Sequence, residues 1–200
     1  MAIINLLQGS SEWLSWRQSR ITATDISIIL GSNPWKTKLE LFEEKLGLRP
    51  SQPLNAAMER GQALEPEARK LASSEIGTVF NPIVCESSKY PWLAASLDGI
   101  SLGGYSILEI KCPKEFTHLE AINGNIAPYY LDQMQHQLLV TGADGCFYFS
   151  YRPEYLDQPF VIIEIEPDLE KQAEIIAKGY EFYTQLCTMS PPNEWKLNKK

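Results

Sequence analysis

Apolar residues recur at helical spacing over residues 10–76, give way to short strand-like runs over 77–166, and return to helical spacing near the end. Ser10 or Ser11 is suited to cap a first helix through Arg17. Thr22 and Asp25 have capping-box spacing and open a second helix that Gly31 closes. Thr37 with Glu40 caps a third, ending at Gly47. Pro50 and Pro53 predict a turn, and a longer helix follows from about Asn55 to Ile76. Strands are expected over 78–86, 90–99 and 105–112, a helix near 128–141, and two more strands over 146–152 and 160–166. An amphipathic helix from about 168 to 187 precedes a tail at Pro191 and Pro192 that reads as loose. Helices at both ends with strands between predict an α/β fold, a mixed central sheet flanked by helices.

A chain of 200 residues fits one domain, residues 1–200, with a substantial core. No apolar stretch approaches a membrane span, and the first residues lack a basic start and a cleavage site, so a soluble cytoplasmic protein without a membrane partner is expected. Cys85, Cys112, Cys146 and Cys187 are widely spread with no C-x-x-C pair, which argues against zinc and iron–sulfur clusters and for reduced, packed thiols. His118 and His136 are the only histidines and read as surface or packing residues. A net charge of −7 argues against a general coating of nucleic acid but leaves room for a locally basic channel.

The chemistry-bearing stretch is A-A-S-L-D-G-I-S-L-G-G-Y-S-I-L-E-I-K-C-P. Alternation along a strand puts Glu109 and Lys111 on one face and Leu108 and Ile110 on the other. Two carboxylates and an ammonium converging from Asp98, Glu109 and Lys111 can hold a hard divalent cation beside a water, as phosphodiester hydrolysis requires. The plainer reading is a solvated strand face beside a turn in which Asp98 precedes Gly99.

Three further groups bear on the choice. Glu65 precedes Pro66 within the long helix, where a proline kink could turn its carboxylate toward a metal, while Glu59 and Arg69 read as solvated helix face. Tyr130, Gln133 and Gln137 form one polar stripe at i, i+3 and i+7, either an exposed face or a source of a neutral amide that orients water or phosphate. Arg17 and Thr24 stand where one helix ends and another begins, a place suited to gripping a phosphate, with Arg20 a competing candidate and an ordinary cap the alternative.

Five pieces in order, W-L-S-W-R-Q-S-R-I-T-A-T-D, R-G-Q-A-L-E-P-E-A-R, S-L-D-G, L-E-I-K-C-P and Y-L-D-Q-M-Q-H-Q-L, resemble the YqaJ-like viral recombinase family, the group of phage lambda exonuclease within the PD-(D/E)XK nucleases. Leu97 stands where the superfamily motif has Pro, and Thr24 replaces a serine but keeps the hydroxyl. The resemblance implies a restriction-endonuclease-like core. It implies Mg²⁺, with Mn²⁺ as a substitute, held by Asp98, Glu109 and the carbonyl of Ile110, with Lys111 beside the attacking water. Glu65 would complete the acidic cluster, Gln133 would position the nucleophile, and Arg17, Thr24 and Tyr130 would bind DNA. A 5′→3′ exonuclease on linear double-stranded DNA follows, leaving 3′ single strands for an annealing protein, with a homotrimer implied on the same basis. The alternatives are an endonuclease of the superfamily and a non-catalytic DNA-binding subunit.

Overall fold

The computed structural model describes residues 1–50, 53 and 55–189. The turn expected between Pro50 and Pro53, and the tail at Pro191 and Pro192, lie outside the described residues. The elements run β1 (Ala2–Ile4), α1 (Ser11–Gln18), α2 (Ala23–Leu30), α3 (Lys38–Lys45), α4 (Ala56–Ile76), β2 (Phe80–Glu86), β3 (Ala94–Ser101) and β4 (Ser106–Lys111). They continue with α5 (Glu115–Ile122), α6 (Pro128–Thr141), β5 (Gly145–Tyr151), β6 (Phe160–Ile165) and α7 (Leu169–Thr188).

Local signals set the helix ends. The Ser10 hydroxyl accepts from the Trp13 N–H at 3.2 Å, and the Asp25 carboxylate accepts from the Thr22 N–H at 2.8 Å. Asn55 caps α4 by accepting from the N–H groups of Ala57 and Met58, both at 3.0 Å. The helix then continues through Pro66 to Ile76. Two elements lack such signals and were not expected: β1 has only three residues, and Lys114 stands at the cap of α5 without a side-chain bond.

The six strands lie in sequence order in one sheet, antiparallel except for β4 beside β5. A parallel pair needs a long crossover, and α5 with α6 supplies it. The mixed α/β sheet is therefore as expected. On one face Ile26, Phe42, Met134, Leu138, Ile175 and Phe182 from α2, α3, α6 and α7 pack over Leu97, Ile107 and Tyr148. On the other, Ala68 and Ala72 of α4 pack against Phe80, Leu108, Ile110 and Phe149. Leu108 and Ile110 thus anchor β4 toward α4, and alternation turns Glu109 and Lys111 toward α6.

Asp98 lies inside β3, within the strand expected over 90–99, so the plainer reading of a turn at Asp98 and Gly99 does not hold. Gly99 serves close packing within that strand, since a Cβ there would stand 2.7 Å from the Phe80 Cβ and 3.2 Å from the Leu108 Cβ. Both histidines are wholly buried, which selects packing over surface among the two readings open to them. The His118 Nε2–H donates to the Gln158 carbonyl, its Nδ1 accepts from the Ser150 hydroxyl, and the His136 Nε2–H donates to the Ala94 carbonyl. Cys85 and Cys146 are buried free thiols, Cys112 is half-buried and Cys187 exposed. Among the described residues no helix is long and apolar enough to cross a membrane.

Candidate active site

Strands β3 and β4 pair at Ile100 with Ile107 and at Gly99 with Leu108. The next pair in that register would be Asp98 with Glu109, but the strands part there. The Asp98 carboxylate instead accepts the Ile110 N–H at 2.8 Å, which satisfies a strand donor left open by the fork. Arg69 of α4 donates through Nε to the Asp98 carbonyl and pairs through Nη2 with Glu65. The arginine read as solvated face therefore braces the fork from behind. The exposed Glu59 does match its expected place on the solvated face.

Glu109 is 4% exposed. One of its oxygens pairs with Lys111, and the other accepts from Gln137 of α6 at 2.6 Å. The Lys111 Nζ also sits 4.9 Å from the centroid of the Tyr130 ring. Asp98, Glu109, Lys111, Gln133 and Gln137 face one cavity of about 190 Å³. Its remaining wall comes from Gln8, Trp13, Arg17, Thr22, Ala23, Thr24 and Ser96.

The electrostatics of the fork are lopsided. Burial and the adjacent Glu109 carboxylate push Asp98 well above the usual carboxylate range, and Glu65 adds to that push. Burial alone would discharge Lys111, yet Glu109 and Asp98 overcome it and hold the ammonium above its ordinary value. The lysine therefore carries a positive charge in this arrangement. A buried and a half-buried carboxylate held this close repel, and a divalent cation on oxygen ligands would relieve that repulsion.

The opposite wall is built from α1 and the start of α2. The Trp13 Nε1–H donates to Ser96 at 2.9 Å, tying α1 to β3. The Arg17 guanidinium lies 4.3 Å from the centroid of the Trp13 ring and donates to the Thr22 hydroxyl at 3.4 Å. Behind it Lys45 is buried against Asp25 at 2.7 Å and donates to the carbonyls of Arg17 and Arg20, fixing the junction of the two helices. Thr24 lies in the first turn of α2, where main-chain N–H groups favour an anion. Arg20 turns away to Glu86 at 3.2 Å, so Arg17 alone of the two lines the cavity.

Of the residues singled out from the sequence, Asp98, Glu109, Lys111, Gln133, Arg17 and Thr24 meet around this cavity. Tyr130 adjoins it through Lys111, and Ile110 contributes its backbone beside Asp98. Glu65 is paired with Arg69 outside the cavity's lining, yet close enough that its charge raises the pKa of Asp98. Among the described residues no group of three His, Cys, Asp or Glu side chains is arranged to hold a metal. The two carboxylates still fit a magnesium-type ion, which takes one or two protein carboxylates and keeps waters or phosphate oxygens for the rest.

Trp13 and Lys45 carry no local signal of their roles in the sequence, and Arg69 reads there as solvated helix face. The stripe of Tyr130, Gln133 and Gln137 had been open to an exposed reading, but Gln133 and Gln137 are buried because α6 is wedged between the sheet and α2 and α7.

Comparison with known proteins agrees with this architecture. The profile of the YqaJ-like viral recombinase domain matches residues 12–144. "Uncharacterized protein YqaJ" of Bacillus subtilis (strain 168) is 32% identical over 187 residues, covering 90% of this chain and 57% of that protein. "Uncharacterized protein R354" of Acanthamoeba polyphaga mimivirus is 30% identical over 173 residues, covering 75% of this chain and 30% of the other. The chain thus spans little more than half of one curated relative and less than a third of the other. The alkaline exonuclease LHK-Exo from Laribacter hongkongensis superposes with a TM-score of 0.78 at 31% identity, covering 90% of this chain and 94% of that one. A phage-related exonuclease from Haemophilus somnus 129PT shares the fold, with a TM-score of 0.65 at 17% identity over 85% of this chain and 96% of its own. The mixed sheet, the fork and the sequence match converge: the chain belongs to the YqaJ-like viral recombinase domain family.

Proposed function

We propose that this chain is a metal-dependent exodeoxyribonuclease acting on the ends of linear double-stranded DNA. The observation that carries the reading is the meeting of Asp98, Glu109 and Lys111 at one fork, with Arg17 and the start of α2 across the same cavity. The likeness to LHK-Exo, which is known in complex with dAMP, supports a DNA substrate.

Asp98, Glu109 and the Ile110 carbonyl would hold Mg²⁺, or Mn²⁺ in its place. The ion supplies an acidified water and neutralises phosphate charge. Lys111 offers its ammonium to the oxygens that gain negative charge as the phosphodiester opens. Gln137 holds Glu109 in orientation, and Gln133 presents an amide to the attacking water or a phosphate oxygen. Arg17 and the N–H groups of α2 grip a phosphate, with the Thr24 hydroxyl adding a donor and Tyr130 bordering the strand. A terminal phosphate held there gives 5′→3′ polarity and leaves a 3′ single strand for an annealing protein. A homotrimeric ring would reconcile the net charge of −7 with DNA binding, because only the channel lining must be basic.

A time course on 5′-phosphorylated linear duplex and on closed circular DNA, with Mg²⁺ and with EDTA, tests the reading. Mononucleotide release from the linear substrate alone, abolished by EDTA, is the expected result. Cutting of the circle would point to an endonuclease, and binding without cutting to a non-catalytic subunit.

A further inference from the structure

A line of rings leads from the lysine toward solvent. The Lys111 Nζ lies 4.9 Å from the Tyr130 centroid, Tyr130 meets Tyr129 edge-on at 4.4 Å, and Tyr129 meets Trp35 edge-on at 4.9 Å. The outermost ring is the largest side chain of the three, yet Trp35 remains 65% exposed. Folding normally covers most of an indole, so an exposed one on a rigid support suggests a ligand.

The support is rigid. Asn33 accepts from the N–H groups of Trp35 at 2.9 Å and Lys36 at 3.2 Å, and its own N–H donates to the Ser27 carbonyl at 3.0 Å. The neighbouring Ser32 hydroxyl donates to Asp132 at 2.5 Å, one helical turn along α6 from Tyr129. The loop that presents Trp35 is therefore fastened to the helix that presents Tyr129. An edge-on contact covers at most one face of one of its two rings, and a fixed aromatic loses little freedom when a partner stacks on it.

Resting on the nuclease reading above, we infer that Trp35 and Tyr129 form a stacking platform for an unpaired base of the DNA strand at the mouth of the cleft. Every base has an aromatic face, so such a platform holds the strand without preferring a sequence, as a degrading enzyme requires. At a rise of about 3.4 Å per nucleotide, the ring contacts place it within a few nucleotides of the scissile bond. The platform positions substrate and takes no part in the bond-breaking step.

The test uses 5′-phosphorylated duplex DNA carrying 2-aminopurine in an unpaired terminal overhang, titrated with Mg²⁺ present. Three proteins are compared: Lys111→Ala, and the same variant with Trp35→Ala or with Trp35→Phe. The parent and the phenylalanine variant should quench the fluorophore. The alanine variant should not, and its affinity should fall on the order of tenfold. In the cleaving chain, Trp35→Ala should raise KM by a similar factor, with kcat and the thermal midpoint little changed. If Trp35→Ala matches its parent in quenching and KM while the wild-type chain cuts DNA, the platform is wrong and the nuclease reading stands. Trp35 would then belong to a contact with another protein chain. A wild-type chain that neither binds nor cuts the substrate overturns both.

Discussion

Gln137 on α6 donates to Glu109 on β4 across the cavity at 2.6 Å. Its Oε1 is buried without a hydrogen-bond partner among the described residues, so the amide is held through its Nε2–H. Removing a partner that orients a ligating carboxylate commonly costs about 10–100-fold in activity or metal affinity. Gln137→Ala should therefore lower kcat on the order of 10–100-fold while DNA affinity is retained. Single-turnover cleavage compared with filter binding separates the two quantities. A wild-type rate would remove Gln137 from the machinery.

Lys111 presents a fixed ammonium beside the two carboxylates. Loss of one donor aimed at developing charge costs about 10²–10³-fold in rate. Lys111→Ala should lose at least that much cleavage and keep its grip on DNA. Lys111→Arg should not restore activity, because the planar guanidinium cannot replace a compact ammonium in the fork. Cleavage by the alanine variant at the wild-type rate would refute the assigned role.

Arg17 lines the cavity, and Arg20 is committed to Glu86. Arg17→Ala should erase any preference for 5′-phosphorylated over 5′-hydroxyl ends, whereas Arg20→Ala should preserve it. Rates on the two substrates decide the matter, and equal wild-type rates on both would dismiss the terminal-phosphate pocket.

Gly99 has no room for a methyl group between Phe80 and Leu108. Gly99→Ala should destabilise the fold by about 1–3 kcal/mol, as overpacking does. Because the next residue is Asp98, the same strain should reduce activity beyond the loss of folded protein. Chemical denaturation alongside rate per folded molecule measures both. An unchanged midpoint would contradict the packing argument.

His136 gives a dependence of stability on pH. Burial pushes its pKa down from 6.5 to about 4, although the bond to Ala94 works against the shift. Asp25 raises it slightly and Lys45 lowers it, so these flanking charges oppose each other. Its Nδ1 is buried with no partner among the described residues, so a second proton would enter an unsatisfied position. Between pH 6.5 and 4 the unfolded chain binds the proton and the folded chain does not, so this contribution is lost as pH falls through that window. The loss is on the order of 3 kcal/mol at most. His136→Gln should flatten the slope of unfolding free energy between those pH values, and an unaltered slope would exclude His136 as its source.

The sequence was most legible where one short signal decides structure. Thr22 with Asp25 and Thr37 with Glu40 start their helices as expected, and the alternation of Leu108, Glu109, Ile110 and Lys111 distributes those side chains correctly. It was least legible in α6. Asp132, Gln133, Gln135, His136 and Gln137 are polar positions that periodicity alone does not bury, yet all are buried and most have fixed partners elsewhere in the chain. Those partners lie 28 to 100 residues away in the chain, a separation that local periodicity does not encode. Arg69 was misread for the same reason, since its acceptor on Asp98 is 29 residues off.

The crossover helix α6 also acts as a ruler. Tyr129, His136 and Gln137 address the aromatic line, the Ala94 carbonyl and the Glu109 carboxylate from fixed stations along one cylinder. Adding or removing one residue between Tyr129 and Gln137 would swing one end by about 100° relative to the other and uncouple the aromatic mouth from the carboxylate fork. Length variation among related chains should therefore gather in the surface connection at 152–159 and spare this helix, whatever happens to its individual side chains.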